Sequence, residues 1–169
     1  LRAMRRGITS GRQRALLERM RERIPGVAVR TTLISGFPGE TDADHADSLA
    51  AVEAGLFDRL GVFTYCREEG TPSYDMDAQV PAAVAAARRD ELMAAQQRVH
   101  LERNAARVGT TLDVLVETVD LWGRSAVGRT EHDAPDVDGK VRIAPVEKGL
   151  RPGQFVRVRV TSSEGYDLV

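Results

Sequence analysis

The spacing of apolar residues over the first third of the chain alternates between two periods. Residues 9–24 place apolar side chains three and four positions apart, which predicts an amphipathic helix that Pro25 ends. Residues 27–35 and 58–65 are rich in β-branched and apolar residues and predict buried strands, with a second helix over residues 41–54 between them. Strands that alternate with helices pair in parallel through right-handed crossovers, so this part is predicted to be α/β.

Residues 81–107 predict one long helix. Pro81 suits its first turn, and the residues that follow are strong helix formers. His100 is predicted to be a surface or partner-facing residue rather than a metal ligand, because no second ligand stands at helical spacing from it. An apolar stripe should pack this helix against the outside of the sheet. Its members are Ala85, Leu92, Ala95 and Val99.

Beyond residue 107 the pattern changes to short β-rich segments separated by glycine, proline and aspartate. Short strands with such punctuation predict a small antiparallel β-barrel. The predicted fold is therefore α/β plus all-β, with one domain over residues 1–106 and a second over residues 107–169. The predicted strands of the second domain are residues 112–119, 125–129, 139–144 and 155–161.

Composition limits the function. The 169 residues are 42% hydrophobic and 29% charged, as in ordinary globular proteins. No apolar run approaches the roughly 20 residues that span a bilayer, so we expect a cytoplasmic protein without a membrane partner. The chain begins with Leu1 rather than methionine, which suggests a fragment. One cysteine, Cys66, excludes an internal disulfide and a Cys-only metal site within this chain.

The most informative stretch is Gly-Phe-Pro-Gly-Glu-Thr at residues 36–41, which joins the end of a predicted strand to the start of a predicted helix. In α/β folds this junction faces the ligand, because glycines let the backbone approach a small molecule and the first helical N–H groups are unpaired. A loop with two glycines also occurs in ordinary turns between a strand and a helix. The residue types alone leave both interpretations open.

The order of residues in this stretch resembles the fifth-strand motif of radical S-adenosylmethionine enzymes, and most closely that of the methylthiotransferases. The resemblance implies that Gly36, Gly39 and Glu40 shape the S-adenosylmethionine pocket, and that Arg30, near the start of the strand, contributes to it. It also implies the C-terminal part of a partial TIM-like radical S-adenosylmethionine barrel, whose first strands would lie before Leu1. It assigns no catalytic residue to this chain.

The family uses two 4Fe-4S clusters, and three cysteines hold the one that binds S-adenosylmethionine. Cys66 cannot supply that set, so the resemblance places the cluster ligands upstream of this chain and predicts that the chain alone is inactive. It also implies a reductase partner for the clusters. His132 with Asp133 and Asp136 lacks a fourth ligand, and no metal is assigned to these residues.

Residues 107–169 resemble the TRAM domain, the small oligonucleotide-fold-like barrel that closes the methylthiotransferases. Two branches of that family differ in substrate: one modifies a tRNA adenosine, and the other the β-carbon of an aspartate in the decoding-centre protein of the small ribosomal subunit. The loop at residues 128–139 and the ending at residues 164–169 resemble the second branch. Residues 64–65 and 67–72 agree with that assignment.

Charge favours the same branch. Residues 107–169 contain nine basic and ten acidic residues, whereas an RNA-binding barrel gains most of its affinity from a basic surface. The acidic loop at residues 131–138 suits a basic protein partner, although a plain polar turn would have the same composition. The ribosomal protein is the expected partner; modification of tRNA, or a non-catalytic ribosome- or RNA-binding fragment, is the alternative. The expected substrate-binding residues are Asp133, Asp136, Asp138 and Tyr166.

Overall fold

The computed structural model describes residue 4, residues 6–120, residue 122 and residues 124–169. The chain forms two compact units, residues 1–99 and residues 100–169, each with its own hydrophobic core. The boundary between the units falls inside the long helix, earlier than the predicted domain boundary after residue 106.

The predicted order of helix, strand, helix, strand and long helix is confirmed. The first strand begins three residues later than predicted, because the groups of Val29 are used outside the ladder: its N–H donates to the Asp58 carboxylate at 2.7 Å, and its carbonyl accepts from the N–H groups of Asp58 and Arg59. The elements are α1 (Ser10–Arg23), β1 (Arg30–Ser35), α2 (Asp42–Glu53), β2 (Arg59–Thr64) and α3 (Ala82–Arg107).

Strands β1 and β2 pair in parallel, as predicted, in a register that runs from Arg30 opposite Arg59 to Ser35 opposite Thr64. One face of this two-stranded sheet packs on the core of the first unit. The other face is open: the neighbouring side chains of Ile34 and Phe63 are 45% and 65% exposed. The buried members of the core are Leu17, Val29, Val52, Phe57, Val62, Leu92 and Ala95.

The second unit is a six-stranded sheet with the strand order β6-β3-β4-β5-β8-β7. The four predicted strands are confirmed, and two short strands are added near the C-terminus. The strands are β3 (Thr111–Val119), β4 (Ala126–Arg129), β5 (Val141–Ile143), β6 (Phe155–Arg159), β7 (Ser163–Glu164) and β8 (Asp167–Leu168).

The prediction of a small antiparallel β-barrel needs correction, because the described strands form a sheet that does not close. In the part of the chain that the structure describes, β6 pairs only with β3, and the β7–β8 hairpin turns back to pair with β5. The β5–β8 pair is parallel and is joined at Val141 and Leu168. Between β5 and β6 the sheet stays open around a cavity of about 540 Å³. Local hydrophobic alternation predicted the strands but carries no information on which distant strand pairs with which.

Among the described residues, no helix is both long enough and apolar enough to cross a membrane.

Gly139 lies where the last hairpin approaches the rest of the second unit. A Cβ atom at this position would stand 1.8 Å from the Tyr166 carbonyl oxygen and 2.6 Å from its carbonyl carbon. Both contacts are with backbone, which cannot rotate away as a flexible side chain would. Glycine is therefore required at residue 139 by the close approach of two backbone segments.

We expect Gly139→Ala to destabilise the second unit by roughly 1–3 kcal/mol or more, because the added methyl group must displace the Tyr166 backbone. Denaturant unfolding followed by circular dichroism measures the change. The adjacent exposed residue gives the control, and Lys140→Ala should stay within about 0.5 kcal/mol of the unmodified protein. Equal stability of the two variants would contradict the close approach.

Candidate functional site

The loop between β1 and α2 is fixed at both ends. At its start, Gly36 and Gly39 have φ values of +79° and +84°, which favour glycine. At its end, Thr41 and Asp44 form a capping box: the Thr41 hydroxyl accepts from the Asp44 N–H at 3.2 Å, and the Asp44 carboxylate accepts from the Thr41 N–H at 2.9 Å. Hydrogen bonds from the Thr41 hydroxyl and N–H lower the pKa of Asp44.

The Glu40 side chain folds back and binds the start of its own loop. One oxygen of its carboxylate accepts a short hydrogen bond from the Gly36 N–H, and the other accepts from the Arg88 guanidinium at 3.1 Å. Arg88 also donates to the Glu40 carbonyl at 3.3 Å and to the Asp42 carboxylate at 2.6 Å. The hydrogen bond to Asp42, and then the charges of Glu40 and Asp42, raise the pKa of Arg88 against the effect of burial. The Glu40 carboxylate therefore holds the backbone of its own loop.

Gly36 lies in close contact with helix α3. A Cβ atom at residue 36 would lie 2.3 Å from the Ala85 Cβ, so the start of helix α3 fills the space beside this glycine. The neighbouring Ser35 hydroxyl donates to the Ala85 carbonyl at 2.9 Å, which fixes the same contact. Gly39 is open by comparison, with no atom within 4 Å of its added Cβ. The space in which a ligand can approach the loop backbone lies at Gly39.

The structure brings together three of the four predicted cofactor residues. Gly36, Gly39 and Glu40 share one loop, whereas Arg30 lies at the opposite end of β1. Arg30 and Ser35 are the first and last residues of this six-residue strand. They are five residue steps apart, or roughly 16 Å at the usual rise of a β-strand. The Arg30 residue is exposed, on the open face of the sheet.

The end of the sheet beside this loop has features that suit a small ligand. The Tyr65 hydroxyl is buried and has no hydrogen-bond partner among the residues the structure describes. Its ring packs edge-on against Phe37 of the loop, with 5.4 Å between ring centroids. The Tyr65 hydroxyl offers one side-chain hydrogen-bonding group at this end of the sheet. The space beside Gly39 is open, and its N–H donates to the Ala78 carbonyl at 2.9 Å. These residues fit the cofactor that the family resemblance implies.

In the acidic loop of the second unit, some carboxylates form hydrogen bonds within the loop and others are exposed to solvent. Asp133 is buried and accepts from the Thr130 N–H at 3.2 Å and from the Thr130 hydroxyl at 2.5 Å. Asp138 accepts from the Ala134 N–H at 2.7 Å. Both therefore hold the shape of the loop, while Asp136 is exposed to solvent. Of the predicted substrate-binding carboxylates, Asp136 is the one placed outward.

Tyr166 is held by its backbone and presents half of its surface. Its carbonyl accepts from the Asn104 side-chain amide at 3.2 Å, and its ring stacks on the His100 ring with 4.8 Å between centroids. The residue is 48% exposed. The prediction that His100 is a surface residue is wrong: it is 3% exposed, because the Tyr166 ring covers it. Asn104 is also 3% exposed, and its side-chain amide donates to the hairpin backbone.

The buried stripe of α3 contains polar residues that the apolar pattern did not predict. Arg88 follows Ala85 by three positions and precedes Leu92 by four, so it shares their face, and it is only 8% exposed. The burial of Arg88 could have been predicted from its helical spacing between two core residues. Such a residue is tolerated there only with partners, which Glu40 and Asp42 provide.

No group of three or more histidine, cysteine or carboxylate side chains gathers in a metal-binding arrangement within the described residues. Cys66 is exposed and is not in a disulfide.

Comparison with known proteins gives two results. A family model for the TRAM domain matches residues 108–169. The chain is 47% identical over 171 residues to a protein of Prochlorococcus marinus (strain MIT 9303), covering 99% of this chain and 36% of the relative. It is 46% identical over 171 residues to one of Anaeromyxobacter sp. (strain Fw109-5), covering 100% of this chain and 36% of the relative.

A third relative, from Syntrophotalea carbinolica (strain DSM 2380 / NBRC 103641 / GraBd1), is 48% identical over 157 residues, with 92% of this chain and 34% of the relative covered. All three carry the name ribosomal protein uS12 methylthiotransferase RimO. The chain thus spans about a third of the length of the curated relatives that it matches.

We expect Gly36→Ala to destabilise the first unit for two reasons: the strain of a positive φ, about 1–3 kcal/mol, and the clash with Ala85, of similar size. Thermal unfolding measures the loss. The double variant Gly36→Ala with Ala85→Gly removes the clash but keeps the strain. Its loss of melting temperature should therefore be smaller than the sum of the losses in Gly36→Ala and Ala85→Gly alone. Additive losses in the two variants would contradict the contact.

Proposed function

This chain corresponds to the C-terminal part of a RimO-like methylthiotransferase, and on that basis we propose that the whole enzyme methylthiolates the β-carbon of an aspartate in ribosomal protein uS12. The observation that supports this most directly is identity of 46–48% to several uS12 methylthiotransferases along 90–100% of the chain. The aligned region includes residues 36–41, called the cofactor loop below, and the acidic loop at residues 131–138. We propose a cytoplasmic location for the enzyme.

The first unit is proposed to be the later part of a radical S-adenosylmethionine barrel. Parallel sheets are normally covered on both faces and extend over more than two strands. Here β1 and β2 are covered on one face only, and Ile34 and Phe63 lie exposed on the other. In a partial TIM-like barrel that open face would be the interior, and the cofactor loop would stand at the C-terminal rim, where such barrels bind their ligands.

The cofactors proposed for the whole enzyme are S-adenosylmethionine and two 4Fe-4S clusters. When bound, they supply the radical that takes a hydrogen from the aspartate and the sulfur that replaces it. The cluster ligands are proposed to lie outside this chain, since Cys66 is its single cysteine. A reductase partner would provide the electrons.

The role proposed for this chain is to bind and orient the cofactor. The backbone at Gly39 is approachable, and the Tyr65 hydroxyl is a donor without a partner among the described residues. Gly36 and Glu40 maintain the loop through their mutual hydrogen bond. Arg30, on the same open sheet face as Ile34, is proposed to reach the cofactor from the far end of β1.

The surface proposed to meet uS12 combines the acidic loop with Tyr166. Glu131 and Asp136 are exposed and contribute negative charge, while Asp133 and Asp138 fix the shape of the loop. Exposed charges of one sign raise the association rate and specificity for a basic partner more than the final affinity, and added salt weakens their effect. The half-exposed ring of Tyr166 offers an amphipathic contact.

A chimera tests the proposed reaction. The matching third of the Prochlorococcus marinus relative is replaced by this chain, and the clusters are reconstituted without oxygen. We expect the chimera to form 5′-deoxyadenosine and to add a methylthio group to uS12, detected by mass spectrometry, while the 169-residue chain alone forms neither product. Modification of a tRNA anticodon stem-loop instead of uS12 would overturn the assignment of substrate.

The acidic loop provides a matched pair of variants in the same chimera. Glu131→Gln with Asp136→Asn removes the exposed charges, and we expect weaker uS12 binding with an unchanged melting temperature. Asp133→Asn with Asp138→Asn removes the same number of charges from positions that accept backbone hydrogen bonds, and we expect a lower melting temperature. Titration of labelled uS12 at two salt concentrations measures binding; equal binding by the first pair and the parent would contradict the electrostatic role.

A further inference from the structure

We propose that Arg88 is the positioning residue of the cofactor loop and that S-adenosylmethionine affinity depends on it through Glu40. The inference rests on the proposed cofactor role of residues 36–41. Arg88 itself lies on helix α3, in a different element from the loop, and nothing in the motif at residues 36–41 points to it.

The Arg88–Glu40 pair is largely withdrawn from water. The side chains of Arg88 and Glu40 are 10% and 14% exposed, and they meet at 3.1 Å. A carboxylate with so little hydration needs partners for both oxygens, and here the Gly36 N–H and the guanidinium provide them. If the guanidinium is removed, one Glu40 oxygen loses its partner, and the carboxylate gains more from turning to solvent than from holding Gly36.

The fork of the guanidinium determines the geometry. One terminal nitrogen of Arg88 donates to both the carboxylate and the carbonyl of Glu40, and the other donates to the Asp42 carboxylate at 2.6 Å. Asp42 is fully exposed, with its side chain at 101% of the reference area, so this second ion pair orients the guanidinium rather than adding much stability. A lysine has one compact charge and cannot occupy both directions at once.

Helix α3 thus holds the loop at three successive points. Its Ala85 carbonyl accepts from the Ser35 hydroxyl, and its Ala85 side chain fills the space beside Gly36. One turn later, Arg88 binds Glu40. The first two contacts fix where the strand ends, and the third fixes the loop that follows. Among these contacts, Arg88 is the one that reaches the loop through a side chain that substitution can shorten without changing the backbone.

The consequence for the cofactor is indirect. Arg88 is occupied by Glu40 and Asp42, so its effect on S-adenosylmethionine passes through the position of the loop backbone between Gly36 and Glu40. A misplacement of about 1 Å in a positioned group can cost about 100-fold in rate, and we expect a displaced loop backbone to lose contacts with the bound cofactor as well. We expect Arg88→Lys in the chimera to raise the KM for S-adenosylmethionine about tenfold or more, with a smaller change in kcat.

The next residue supplies the control. Arg89 is 40% exposed in its side chain and pairs with the adjacent exposed Asp90 at 2.7 Å, away from the loop. Arg89→Lys should leave the KM, the kcat and the melting temperature unchanged. A merely structural role of Arg88 would lower the melting temperature without separating KM from kcat.

A double-variant cycle tests whether Arg88 acts through Glu40. Arg88→Ala, Glu40→Ala and the double variant are compared in S-adenosylmethionine affinity. If the arginine works through the carboxylate, the double variant should bind no more weakly than the worse single variant. Independent, multiplicative losses would overturn the proposal, as would an Arg88→Lys chimera with unchanged KM.

Amide hydrogen exchange in the 169-residue chain tests the positioning role of Arg88 separately from the cofactor role of the loop. Arg88→Lys should speed exchange at the Gly36 N–H at least tenfold, while Arg89→Lys should not; unchanged exchange overturns the positioning role whatever the cofactor does. If exchange changes as expected but the parent chimera fails to bind S-adenosylmethionine, the proposed cofactor role of the loop is wrong, and the claim on affinity falls with it.

Discussion

The buried carboxylate of Glu40 is the group around which the first unit's loop is organised. A carboxylate removed from water is stable only when its oxygens are paired, and Glu40 divides them between a backbone N–H of its own loop and a guanidinium from another helix. That division ties three pieces of chain together: the end of β1, the start of α2 and the first turns of α3. The two glycines then adopt positive φ values within a frame that is already closed.

The second unit uses the same principle with weaker groups. Asp133 is buried against Thr130, and Asn104 donates to the carbonyl of Tyr166. In each case a polar side chain forms a hydrogen bond with a backbone or hydroxyl group that has no partner in the strand ladder. The sheet stays open between β5 and β6. These local hydrogen bonds therefore stabilise the unit where pairing of β5 with β6 would stabilise a closed barrel.

Sequence periodicity predicted what depends on neighbours along the chain. The helices, the parallel pair and four of the six strands of the second unit were predicted, because apolar spacing and turn residues determine them locally. The contact of Gly36 with Ala85, the burial of Arg88 and the β5–β8 pairing were not predicted. Each depends on a partner that is distant in sequence: Ala85 for the glycine, Glu40 for the arginine and Leu168 for Val141. The roles of the predicted site residues stay predictions.

The division of labour in the acidic loop bears on how such a surface evolves. Asp133 and Asp138 hold the fold of the loop, whereas Glu131 and Asp136 lie outside that framework. Substitutions at the outer pair change the electric field of the loop without disturbing the hydrogen bonds that shape it. A single substitution at Glu131 or Asp136 is therefore expected to alter the charge of this surface and leave a folded protein, whereas one at Asp133 or Asp138 would alter the shape of the loop as well.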